Sequence, residues 1–128
     1  MLSGIDEIAA NYQSWYLDNL SYREQLLTLT LSTQIDEDNT VDYLISFNEV
    51  QYFEIYDECD HFNDYHEHRD SGIVGIYSQS SLLEYICKKT LIMDTKPTQW
   101  KLKHYSVMTG MDFIHVITKK EPIVVRVS

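Results

Sequence analysis

Leu2, Ile5, Ile8, Ala9, Tyr12, Trp15, Tyr16 and Leu20 recur at intervals of three and four, the spacing that stacks side chains on one face of an α-helix. The pattern predicts an N-terminal helix starting near Ser3, with Asp6 and Glu7 at the positive end of its dipole. From Leu27 the period changes to two. Leu27, Leu29 and Leu31 alternate with Thr28, Thr30 and Ser32, as in a strand with one buried face. Asp36-Glu37-Asp38-Asn39 interrupts it, and a second β-rich stretch runs from Val41 to about Tyr56, with Tyr43, Ile45 and Phe47 in alternation. Its phase is disturbed at Asn48-Glu49, as a bulge or a tight turn would do. Residues 57 to 71 carry no hydrophobic period and read as an exposed loop.

After Gly72 and Gly75, Ser81 and Glu84 stand three apart and predict a capped helix start. Leu83, Ile86, Cys87, Thr90 and Leu91 would be the inward stripe of this second helix, which Pro97 ends. Farther on, Trp100, Leu102, His104, Ser106 and Met108 alternate with Lys101, Lys103, Tyr105, Val107 and Thr109; Gly110 permits a turn, and strands follow at Phe113 to Thr118 and Ile123 to Val127. A chain of 128 residues makes one domain, large enough to bury roughly two-thirds of its surface on folding. The expected fold is α+β: an N-terminal helix, an antiparallel sheet of five or six strands, and one helix inserted before a C-terminal β-meander.

Charge changes the picture from fold to partner. Ten Lys and Arg stand against twenty Asp and Glu, a net charge of −10, which repels phosphate backbones and anionic lipid and argues against nucleic-acid or membrane partners. The first residues lack a basic region and no apolar run reaches a membrane span, and two cysteines are too few for a disulfide framework. The expectation is a reduced, cytoplasmic protein.

The acidic excess is local. Residues 36 to 70 hold twelve acids against Arg69 alone, while the other 93 residues hold eight acids and nine bases. The same stretch carries Tyr52, Phe53, Tyr56, Phe62 and Tyr65, and aromatic anchors beside charges are the composition of binding hot spots. Asp36, Glu37, Asp38, Glu54, Tyr56, Asp57, Glu58, Asp60, Asp64, Tyr65 and Glu67 are therefore the candidate partner-binding residues, for a basic protein drawn in by concentrated negative potential. The plain alternative is a solvated loop whose aromatic residues turn inward.

Residues 59 to 70 also collect Cys59, His61, His66 and His68 among carboxylates, donors that zinc could use. His66, His68 and Asp70 resemble the His-x-His-x-Asp core of the metallo-β-lactamases, but Ser71 follows where that family has histidine, and the chain is too short for that fold. No metal or cofactor is expected, and a small metal-binding hydrolase built on His61, His66 and His68, or a subunit of a larger assembly, are the competing readings. No Gly-rich phosphate cradle or Gly-x-Ser-x-Gly elbow occurs, and neither cysteine lies in a nucleophile signature. His104 and His115 fall in predicted strands, where a hydrogen-bonded structural role competes with that of an acid or base in a cleft. The chain is not expected to be an enzyme.

In size, in its missing export signal and in its acidic aromatic stretch from Asp36 to Asp70, the chain resembles the small acidic immunity proteins of bacterial toxin systems, including those of contact-dependent growth inhibition. That resemblance implies a cytoplasmic, metal-free protein that binds and blocks a cognate toxin domain, often a basic nuclease. It implies no particular fold and no catalytic residues.

Overall fold

The computed structural model describes residues 14–34, 36–57, 70, 73–89 and 102–127. They form two four-stranded antiparallel sheets and one short helix. β1 (Tyr16–Arg23), β2 (Leu26–Gln34), β3 (Thr40–Phe47) and β8 (Ile123–Arg126) make the first sheet, in that spatial order. The second has the order β4 (Tyr52–Asp57), β7 (Asp112–Thr118), β6 (Lys103–Met108), β5 (Val74–Ile76). Helix α1 (Ser81–Lys89) lies between β5 and β6 in the chain.

The alternations read from sequence are the packing. Leu27, Leu29 and Leu31 of β2 and Val41, Tyr43, Ile45 and Phe47 of β3 are buried. They join Val74, Tyr105, Val107, Ile114 and Val116 of the second sheet in one inter-sheet core, so the sheets form a sandwich. Phe47 meets Tyr105 across it with ring centroids 5.8 Å apart, and Tyr22 meets Phe53 at 4.8 Å. The second sheet is buried on its other face as well. There Leu82 and Ile86 of α1 pack on Ile117, with Tyr52, Leu83 and Leu102 beside them.

Three expectations are overturned. The fold is mostly β, not α+β, and the described residues hold no N-terminal helix: Tyr16–Arg23 is a strand, and residues 1–13 lie outside those described. Five of the eight positions of the expected stripe, Leu2 to Tyr12, lie outside the described residues, and within β1 the alternation of a strand is broken by a β-bulge. The pairing of β1 with β2 shifts between Leu17 and Asn19, so Leu17 faces Leu31 while Leu20, three residues on, faces Leu29. A strand that gains one residue presents inward positions three apart, and that interval imitates a helix. The expected single sheet is two, because Asn48 and Glu49, the latter with φ of 53°, carry the chain from β3 in one sheet to β4 in the other. The C-terminal meander ends after β6 and β7, since β8 crosses back to pair with β3.

Candidate functional site

The strand registers bring the acidic residues together. Gln34 pairs with Thr40, so Asp36 to Asn39 form the β2–β3 turn at one end of the sandwich. In that turn the Asp36 carboxylate accepts the backbone N–H groups of Asp38 and Asn39 at 2.9 and 3.0 Å and the side-chain amide of Asn39 at 3.0 Å. The Asn39 amide, and then the Asp38 N–H, hold Asp36 below the ordinary carboxylate range. The β6–β7 turn reaches the same end, where Gly110 N–H bonds the Trp15 carbonyl and Thr33 Oγ1 bonds the carbonyl of Ser14. Asp57 and Asp112 occupy opposed positions in the register where β4 ends and β7 begins. Asp42 is nearby and takes the Ser32 hydroxyl at 2.6 Å.

This end therefore gathers Asp36, Glu37, Asp38, Asp42, Asp57 and Asp112 against Arg126. Charge at the opposite end is mixed. Arg23, Lys103, Lys119 and Lys120 lie there with Glu24, Glu49 and Glu121. Glu49 takes Lys120 at 2.8 Å and Lys119 at 3.6 Å, and the Lys120 ammonium lowers its pKa. Of the predicted partner-binding residues, Asp36, Glu37, Asp38 and Asp57 share the acidic end. Glu54 and Tyr56 do not. They sit half-buried in β4, on the outer face of the second sheet, where Glu54 Oε1 accepts the Tyr52 hydroxyl at 2.9 Å. Glu58, Asp60, Asp64, Tyr65 and Glu67 lie outside the described residues, as do Cys59, His61, His66 and His68. Among the described residues no group of three His, Cys, Asp or Glu is placed to hold a metal ion.

A second polar constellation occupies that outer face. Register places Glu54 opposite His115 and His115 opposite Ser106, with His104 one pair along, opposite Ile117. His104 and His115 are 1% and 0% exposed, and Nε2 of His104 lies 2.9 Å from Nδ1 of His115. On its other side His104 Nδ1 is 2.6 Å from the hydroxyl oxygen of Ser80, which also accepts the Leu83 N–H at 2.9 Å. Tyr77 stacks on His104 with centroids 3.8 Å apart and planes within 6°, and Tyr56 meets His115 edge-on. With neutral imidazoles the two bonds run in one of two directions: Ser80 O–H to His104 Nδ1 and His104 Nε2–H to His115 Nδ1, or His115 Nδ1–H to His104 Nε2 and His104 Nδ1–H to Ser80 Oγ. Ser80, not Ser81, is thus the helix cap, one residue earlier than the spacing to Glu84 implies.

The sequence carries a signal for the link between the histidines. Both stand on one face of strands flanking the turn at Gly110, and in an antiparallel hairpin such positions become diagonal neighbours. Comparison with known proteins returns no matching family model, no matching curated relative and no matching solved structure.

Proposed function

We propose that this chain is a non-catalytic binding protein that neutralises a basic partner, as an immunity protein neutralises its cognate toxin, and that the acidic end of the sandwich is the docking surface. The observation that supports this reading is the convergence of Asp36, Glu37, Asp38, Asp42, Asp57 and Asp112, from separate stretches of the chain, on one end. Acids spread for solubility alone would not concentrate there. Negative charge of this density occupies a cationic nucleic-acid cleft in place of phosphate, and it speeds encounter with a basic protein.

The test uses the product of the neighbouring reading frame, because immunity and toxin genes lie side by side. The expected result is a stoichiometric complex between the two purified proteins, and survival of cells that make this chain together with the toxic product. Absence of both complex and protection, with a neighbour that is itself toxic, overturns the reading.

A further inference from the structure

β1 stands at one edge of its sheet and is the longest edge strand of the sandwich, with eight residues against six, three and four in β4, β5 and β8. The Val127 N–H bonds the Asp42 carbonyl, which turns the Asp42 backbone toward β8 and leaves the Tyr43 and Ile45 backbones facing β2. Carried through the registers, this alternation directs Thr28 and Thr30 toward β1, and Asn19, Ser21 and Arg23 toward β2. The backbone N–H and C=O groups of Leu20 and Tyr22 therefore point outward. Among the described residues no third strand pairs with them. Residues 21 to 26 are exposed, and β1 contains no lysine or proline of the kind that guards an edge. The side chains of Leu20 and Tyr22 belong to the inner face, where Leu20 packs on the inter-sheet core and Tyr22 meets Phe53 of β4, itself an edge strand. This flank leaves apolar surface in water: Tyr22 is 45% exposed, and Ile55, opposite the core residue Ile114, is 44% exposed.

We infer that β1 is a pairing edge for a second copy of this chain, the two β1 strands running antiparallel about a two-fold axis at Ser21 so that their sheets join into one. The occupant follows from the symmetry of the edge. In this register Leu20 meets Tyr22 of the second copy, Ser21 meets Ser21 and Asn19 meets Arg23, so inner-face residues oppose inner-face residues and polar residues oppose polar ones. The outward backbone groups are in phase as well. Leu20 and Tyr22 of the second copy exchange both N–H···O=C bonds, and the axis repeats the exchange. The shift between Leu17 and Asn19 breaks the alternation beyond Asn19, which limits the new ladder to residues 19–23 and centres it on Ser21. Pairing Leu20 with Tyr22 extends the inter-sheet core across the join and covers the apolar flank. Each chain carries a charge of −10, and the antiparallel arrangement keeps the two acidic ends at opposite ends of the pair, where a parallel one would abut them. The contact is isologous, as a closed two-fold dimer requires, and it holds independently of any role for the acidic end.

The oligomeric state of the full chain, purified without any partner, tests the inference. Sedimentation across a dilution series should give the mass of two chains at the concentrated end and of one chain at the dilute end. Ser21→Lys, at an exposed position, sets two ammonium groups against each other on the axis. It should weaken the pair by roughly tenfold or more and leave the melting temperature nearly unchanged. Ser21→Cys decides the register even if the lysine variant does not fold. Across a non-hydrogen-bonded antiparallel pair the Cα atoms lie about 4.5 Å apart, within reach of a disulfide. Mild oxidation should therefore link two chains through position 21, whereas Asn19→Cys, whose counterpart is Arg23, should not cross-link. A wild type that is monomeric at every concentration overturns the inference. So does a dimer that Ser21→Lys leaves intact, or equal cross-linking of the two cysteine variants. Monomers whose β1 amides gain exchange protection only with the product of the neighbouring reading frame overturn it too, and give the edge to a partner's strand instead.

Discussion

Trp15 shows how a residue's burial and its local structure separate. Its place on an apparent helical stripe predicts burial, and it is 1% exposed, but it reaches the core from the start of β1, beside Tyr43 at a centroid distance of 5.6 Å. Its indole N–H is buried without an acceptor among the described residues, so the site rewards the ring's volume and not its polar atom. Trp15→Ala should therefore lower stability by about 3 to 5 kcal/mol, the range for emptying a large aromatic site, read from the urea midpoint. Trp15→Phe should cost clearly less, because it keeps most of the packing and removes an unsatisfied donor. Equal losses for the two variants would mean that the indole N–H does find a partner. Tyr105 is comparable: it is buried between the sheets, its hydroxyl has no acceptor among the described residues, and burial, with a smaller contribution from Glu121, raises its pKa.

At the scale of elements, strands whose period stayed at two were legible and places where the phase slipped were not. β2, β3, β6 and β7 lie where the alternation put them, whereas β1 was hidden by its bulge. A bulge is set by register with a partner strand, which periodicity along one strand does not contain. The turn after β1 carries a related strain. Arg23 pairs with Leu26, leaving a two-residue loop whose residues, Glu24 and Gln25, have φ of 52° and 68°. Positive φ at both central positions belongs to a type I′ turn, normally filled by Asn and Gly. Gln25→Gly should stabilise the protein by roughly 0.5 to 1 kcal/mol, since the left-handed conformation costs most residues about 1 to 2 kcal/mol and glycine far less. An unchanged or lower melting temperature would refute this account of the turn. The helix start offers a second contrast. Ser80→Ala should cost about 1 to 2 kcal/mol through the lost cap and its bond to His104, and Ser81→Ala, at an exposed position, should be close to neutral.

For the whole molecule, the sequence showed that negative charge is concentrated and left open where. Asp36 to Asp38 and Asp112 are far apart in the chain, and only the strand pairings within each sheet together with the packing of the two sheets, tied by Gly110 N–H to the Trp15 carbonyl, bring them to one end. Which strand joins which sheet depends on the crossings at residues 48–51 and 119–122, and no local pattern encodes those. The resulting polarity sets the sharpest expectation for the proposed docking surface. Glu37 and Asp38 are exposed in the β2–β3 turn, whose shape depends on the Asp36 carboxylate and not on theirs. Replacing both with Lys should slow association with the basic partner by roughly tenfold or more at low salt. It should leave the melting temperature nearly unchanged, as exposed substitutions do. The deficit should shrink as ionic strength rises, because attraction is screened beyond about 8 Å at physiological salt. Arg23→Glu, exposed at the other end, is the matched control and should leave the rate within about twofold of wild type, lying farther from the contact than the screening length. Association rates measured against salt for the three proteins separate the ends. If the lysine variant associates as fast as wild type and the Arg23 variant does not, the partner approaches the opposite end, and the charge of the acidic end serves solvation alone.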